Sequence, residues 1–360
     1  MLVLKHLSDW SFDECERKVR ANRVYRAFCR IEGERTPDAK TLIRVAQVLD
    51  GPTLKPVLAR LVAIAGERHV VRGGRLRVDT TVVETTIHYP TDSTLLADGV
   101  RVLTRTLTRL RTVATHGLVR LRDRTRSVGR RVFAIAQLSR QVRQDPVKTG
   151  MPALYRRLMG HTRAVVRQAE TAAQRVASGA VRAVGLAQRA VEGLAQQLRD
   201  TAPLVRRVLA QTRARIIKGD TRYPDKLLSL FEPHTEAIRK GKAVKPTEFG
   251  KLVKIQEAEA QFITDYEVCE RREPDEALWV PSLVRHEDFG RPPRWAVADA
   301  GFASRANERA ADARGVHQVV LPWQRRNGRS RATRAALRWR TGCEGRISAL
   351  KRRHGLRRRR

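Results

Sequence analysis

Three carboxylates sit in settings that bury or align them: Asp79 inside the β-branched run from Leu76 to Val83, Asp299 where the apolar stretch Trp295 to Ala298 breaks towards Gly301, and Glu344 in an Arg-rich helical stretch. Strands disfavour Asp, and a buried carboxylate without a partner costs several kcal/mol or shifts its pKa, so an Asp amid Val and Thr invites a counter-charge. A divalent cation supplies one. Hard oxygen donors with positions left for water select Mg²⁺ or Mn²⁺, and two such ions about 3.5–4 Å apart can activate an attacking oxygen and stabilise a leaving one. That is phosphodiester chemistry.

These residues need a sheet and a helix to hold them. Residues 75–87 have the period of a strand, and Tyr89, Pro90, Thr91 and Asp92 form a turn that caps a helix starting near Leu95. Later, Leu227 to Phe231, Phe262 to Val268, Trp295 to Ala298 and Val316 to Leu321 are expected as strands; Leu278 to His286, Asn307 to Arg314 and Ala332 to His354 are expected as helices. Alternating strands and helices predict an α/β layer. Asp79 then lies on a strand and Asp299 at the C-terminal end of another, the edge where α/β sheets usually carry their sites; if the two strands are neighbours, the carboxylates converge. On the last helix the apolar stripe is Ala336, Trp339, Cys343, Ile347 and Leu350, with Arg340, Glu344, Ser348 and Lys351 in a narrow stripe beside it. A carboxylate flanked by cations suits a place where metal and phosphate meet, and equally Arg340 and Glu344 one turn apart make an ordinary surface ion pair.

Residues 1–70 read as a small helical module. Ser11 and Glu14 make a capping box for a helix carrying Phe12, Cys15, Val19 and Phe28, and Thr36 and Pro37 are expected to start a second. Leu42, Val45, Ala46 and Leu49 line that second helix; Leu54, Val57, Leu58 and Leu61 continue the pattern into a third. Such a module could place a helix in a DNA groove, or simply pack or dimerise. From 94 to 218 the pattern is almost wholly helical. Leu96, Val100, Leu103, Leu107, Leu110 and Ala114 form a coiled-coil-like seam, a possible interface between two copies. Asp145, Pro146 and Gly150 interrupt the pattern as in a helical hairpin, and an Ala-rich seam then runs from Ala169 through Ala180 and Ala187 to Leu194.

The 360 residues carry 73 Lys and Arg against 37 Asp and Glu, a net charge of +36, and the segment 94–218 alone holds 26 basic and 6 acidic residues. A solubilising surface would mix signs; this excess, mostly Arg, predicts binding to a polyanion through its phosphates, with nucleic acid as the partner. Cys15, Cys29, Cys269 and Cys343 have neither zinc-site spacing nor the density of a disulfide scaffold, which fits a reducing cytoplasm. No stretch approaches a membrane span, and Met1 to Leu7 lacks a signal core, so no membrane partner is expected.

The stretches Asp79-Thr-Thr-Val-Val-Glu-Thr-Thr-Ile-His-Tyr-Pro-Thr-Asp-Ser93, Asp299-Ala-Gly-Phe302 and Trp339-Arg-Thr-Gly-Cys-Glu-Gly-Arg-Ile-Ser-Ala-Leu-Lys351, in that order, resemble a bacterial insertion-sequence transposase with an RNase H-like DDE domain. Arg340, Glu344 and Lys351 have the spacing of the last three residues of that family's YREK element, with Leu337 where the pattern has Tyr. Phe231 to Glu236 and Lys245 to Gly250 also resemble the family, without a chemical role. The resemblance implies an RNase H-like mixed sheet, begun by 71–93, interrupted by a basic helical insertion at 94–218 and completed by 219–360. It implies two Mg²⁺ or Mn²⁺ ions on Asp79, Asp299 and Glu344, and DNA phosphate contacts from Arg340, Lys351, Arg352 and Arg353. Cleavage of double-stranded DNA at transposon ends and strand transfer into target DNA would follow, by a homodimer on DNA. Because relatives of that kind generally continue beyond this helix, it also implies a C-terminally truncated catalytic domain. A remnant that only binds DNA, or a non-enzymatic basic helical protein that compacts nucleic acid, are the other readings.

Overall fold

The chain leaves one unit and returns to it: Met1–Thr85 and Ile238–Arg360 fold together, and Thr86–Ala237 make a second unit between them. The computed structural model describes residues 1–117, 121–144, 150–239, 247–322 and 330–357. In the first unit, helices α1 (Leu2–Leu7), α2 (Phe12–Ala21), α3 (Arg23–Phe28), α4 (Ala39–Val48) and α5 (Gly51–Glu67) come first. The capping box at Ser11 and Glu14 forms in both directions. Its helix stops at Asn22 instead of running on to Phe28, because the Asn22 side chain accepts from the Val24 N–H and caps α3. Likewise Asp38, rather than Thr36, caps α4 by accepting from the Thr41 N–H at 2.7 Å. A carboxylate facing free N–H groups at a helix start outcompetes the earlier Thr-Pro.

Strand β1 (Arg75–Glu84) then leads out to the second unit, built on α6 (Asp92–Val113), α7 (Thr125–Gln144), α8 (Met151–Ala177) and α9 (Leu186–Thr212). Helix α6 starts three residues earlier than expected, capped by Thr91. Its stripe Leu96, Val100, Leu103, Leu107 and Leu110 is wholly buried in a core shared with residues of α8 and α9 such as Leu158, Val165, Leu198 and Val205. That corrects the expected interface: the seam closes on helices of its own chain and leaves nothing for a second copy. The Ala-rich seam is also divided. Ala169, Ala172 and Val176 are buried on α8 and Val191 on α9, but Ala180 is exposed in a turn between them, where Gly179 and Gly185 take positive φ. Of the expected interruption, Asp145 and Pro146 lie outside the described residues, and Gly150 precedes α8. Leu227 to Phe231 form no strand, because the Gln211 side chain takes both the N–H and the carbonyl of Leu227, which packs into the helical core.

Back in the first unit are β2 (Glu236–Arg239), β3 (Thr247–Glu257), β4 (Ile263–Val268), β5 (Trp295–Val297) and β6 (Gln318–Val320). The sheet runs β2-β3-β1-β5-β6, with β4 also on β3. β3 lies antiparallel to both β1 and β4, whereas β1, β5 and β6 are mutually parallel. One face packs Leu76, Val78 and Ala296 against Trp279 and Leu283 of α10 (Trp279–His286) and Ala311 of α11 (Arg305–Asp312). α11 begins earlier than expected because Ser304 caps it, accepting from the Asn307 N–H. The other face meets α12 (Arg331–Arg353), where Ala336 joins Val297 and Val320 in a small core. The fold is therefore α/β with a mixed sheet, as expected, and that sheet has six strands; among the described residues no helix is long and apolar enough to cross a membrane.

Candidate active site and basic surface

Side chains alternate across a strand, so register decides which groups share a face. Along the parallel pair, Arg75 matches Trp295 and Arg77 matches Val297. Continuing that register two residues past its last pair matches Asp79, within β1, with Asp299, just beyond β5 and extended at φ −81° and ψ −178°. Both belong to the parity that faces α12: the Arg75 guanidinium lies 4.6 Å from the Trp295 ring and the Arg77 guanidinium 4.8 Å from the Trp339 ring. Asp79 is buried, its Oδ1 accepting from the Thr80 N–H at 2.8 Å, and Asp299 Oδ1 accepts from the Gly301 N–H at 2.9 Å.

A further carboxylate lies beside this pair. Asp275, in the single 3₁₀ turn before α10, accepts from the Thr80 hydroxyl at 3.0 Å. A Cβ at position 301 would meet Asp275 Oδ2 at 2.8 Å and Asp299 Oδ1 at 3.2 Å, so Gly301 is what lets the two acids approach the same turn. Sequence reading missed Asp275 because nothing local separates it from a helix-capping acid; its partners are 195 residues away in Thr80 and beyond β5 in Gly301.

Beneath the site lies a buried ion pair that was also missed. Arg77 on β1 and Glu257 on β3 are 2% and 0% exposed, joined through the guanidinium Nε and Nη2. Arg77 Nη1 also donates to the Trp339 carbonyl, and Gly342 leaves the room that the guanidinium fills, since a Cβ there would come within 2.7 Å of it. The Cys343 thiol donates to Glu257 Oε1 at 3.5 Å; burial first, then the charges of Glu257 and Asp79, push its pKa far above the ordinary thiol value. Arg77 thus ties α12 to the strand carrying Asp79.

Glu344 is held differently. It is 60% exposed and pairs with Arg340 Nη2 at 3.0 Å, the ordinary one-turn ion pair. Lys351 is half-buried, and Arg352 and Arg353 are exposed in the last turn, Arg352 donating to Ser348. Leu337 packs against the small core under α12. Of the other family-like stretches, Glu236 starts β2 and Thr247 to Gly250 start β3, while Lys245 and Pro246 lie outside the described residues.

The donor chemistry of Asp79 and Asp299 fits a hard divalent cation, being two carboxylates, one within β1 and one just past the end of its parallel neighbour β5. Among the described residues, however, no three His, Cys, Asp or Glu side chains gather closely enough to hold a metal ion. Glu344, paired with Arg340, is not brought to the two aspartates.

The second unit offers a different kind of site. Residues 86–237 hold 28 Lys and Arg against 11 Asp and Glu, so at least 17 cations have no acid to match them one to one. Arg101, Arg206 and Arg215 pair with Asp98, Glu170 and Asp92. Arg105, Arg109, Arg156, Arg157, Arg163 and Arg167 are exposed on α6 and α8. All four cysteines of the chain are free thiols. Compared with family models, with curated proteins and with solved structures, the chain has no match.

Proposed function

We propose that this chain is a DDE-type transposase, cutting DNA at element ends and joining the freed 3′-hydroxyl to target DNA. The observation that carries the reading is the position of Asp79 on β1 and of Asp299 two residues past the end of β5, the parallel neighbour whose register with β1 runs to Arg77 and Val297. The sheet supports it. Numbering only the strands that make its spine, β1, β3, β4, β5 and β6, the order is third, second, first, fourth, fifth, with the first three antiparallel and the last two parallel to the first, an order that supports the RNase H-like reading. Both aspartates then lie on its β1 and just past its fourth strand, and the last helix follows its fifth.

In this reading Asp79 and Asp299 hold Mg²⁺ or Mn²⁺, with Glu344 completing the set only by exchanging Arg340 for the cation. The ions supply activation of the attacking oxygen and charge neutralisation at the phosphate. The protein's own work is positional: Arg77, its charge balanced by Glu257, locks α12 onto β1 through the Trp339 carbonyl, and Arg340, Lys351, Arg352 and Arg353 bind DNA phosphates. The basic helical unit tracks the DNA backbone.

One observation favours a second reading. Because Glu344 is exposed on Arg340 and no three-acid group gathers among the described residues, a chain that binds DNA without cutting it is the alternative. The test is nicking of supercoiled plasmid by the purified chain in Mn²⁺ or Mg²⁺, beside Asp79→Ala and Asp299→Ala. The transposase reading expects metal-dependent nicking that falls at least a hundredfold in both variants; binding with no nicking on plasmids carrying the element ends selects the alternative.

A further inference from the structure

Helix α5 is apolar over more of its circumference than its own fold uses. At 100° per residue, Lys55, Leu58, Val62 and Ala65 span one arc, and this is the side that meets β4: Ala65 is buried beside Val71, Ala258 and Phe262, and Lys55 reaches Asp265. Next to that arc lies a second apolar stripe, Leu54, Val57, Leu61 and Ile64, which is 41%, 56%, 53% and 38% exposed. An ordinary surface helix carries charge there.

The spacing of this stripe is three, four, three, the repeat that packs one helix against a like helix. Its chemistry points the same way. Residues 51–67 contain two cations and one acid in a chain of net charge +36, so this is a face on which two such polycations can approach without strong repulsion, and one that a phosphate backbone has little reason to choose. Val45 and Val48 on the preceding helix α4 are also 46% and 78% exposed. With those two the exposed side chains amount to on the order of 500 Å² per copy, in the upper part of the roughly 300–600 Å² of the largest patch on a typical monomer, which is often functional, and approaching the roughly 800 Å² per partner of a standard interface once a polar rim is added.

We propose that the α5 stripe, extended by α4, is the interface of a homodimer that forms without DNA. This is independent of the nuclease reading: it replaces the α6 seam, which is buried within its own unit, by a stripe that is free to pair.

The experiment is the mass of the nuclease-treated full chain by light scattering at about 0.5 M salt, across a dilution series from tens of micromolar downward. High salt screens bridging by residual nucleic acid and leaves apolar pairing intact. Wild-type chain is expected at twice the monomer mass. Val57→Asp with Leu61→Asp should give the monomer mass over the whole series, with an unchanged far-UV spectrum, because both side chains are exposed and unneeded for folding. A monomeric wild type, or a double variant that remains dimeric, overturns the proposal. Should the double variant lose helicity, Val57→Ser with Leu61→Ser decides in its place by the same two outcomes.

Discussion

At the scale of single residues, the site rests on Arg77. Its charge is fully desolvated and shared between Glu257 and the Trp339 carbonyl, so removing it leaves Glu257 buried without its counter-ion. Breaking one half of such a pair costs about 3–5 kcal/mol, whereas replacing both halves by apolar groups of similar volume is often neutral. Arg77→Met is therefore expected to lower the urea midpoint steeply, and Arg77→Met combined with Glu257→Leu to recover most of the loss; a double variant as unstable as the single one would show that Arg77 acts through Trp339 alone. Asp79 stood out in the sequence because it is the wrong residue for its strand, and Asp299 because it breaks the apolar stretch before it. Arg77, Glu257 and Asp275 were not. An Arg near the start of a strand, an acid at a strand end and an acid before a helix are commonplace locally, and only contacts across 180 or more residues give them meaning.

At the scale of elements, local chemistry fixed the helices better than it fixed the sheet. Capping residues and apolar stripes placed the starts of α2 and α6, and both ends of α10 and α12, within a few residues, since those signals act within one turn; the end of α2 at Asn22 was missed. Strand β3, the longest in the sheet, escaped notice because Glu248, Lys254, Gln256 and Glu257 interrupt its alternation while being buried. Lys254 is 1% exposed and is tolerated there by Glu267 at 2.9 Å and Asp265 at 3.6 Å, partners that β4 brings. The α6 seam failed in the opposite sense: its period was real, but the partner is the same chain. Leu107→Ala should accordingly cost about 2–5 kcal/mol in urea denaturation, the price of a cavity in the helical core, and leave the mass in solution unchanged. A Leu107→Ala chain that stayed as stable as wild type but changed its mass would restore the seam as an interface.

At the scale of the whole molecule, charge governs what the chain meets first. Its +36 divides almost evenly: the helical unit holds 28 cations against 11 acids, a net +17, and the first unit 45 against 26, a net +19, but the first unit commits carboxylates to buried pairs and to Asp79 and Asp299. If the helical unit tracks a DNA backbone, affinity must fall linearly with salt on logarithmic axes, each neutralised phosphate adding about −0.9 to the slope. Arg105, Arg109, Arg163 and Arg167 are exposed on α6 and α8 and are not needed by the core, so changing all four to Gln should leave stability within about 0.5 kcal/mol. The same change should flatten the slope by up to about 3.6 if every one of them touches a phosphate. Fluorescence anisotropy with a labelled duplex between 50 and 300 mM salt reads this directly. A slope unchanged by the four substitutions would move the DNA off these two helices, leaving Arg340 and the basic last turn of α12 as the remaining contacts; a slope that flattens while plasmid nicking persists would separate grip from cleavage.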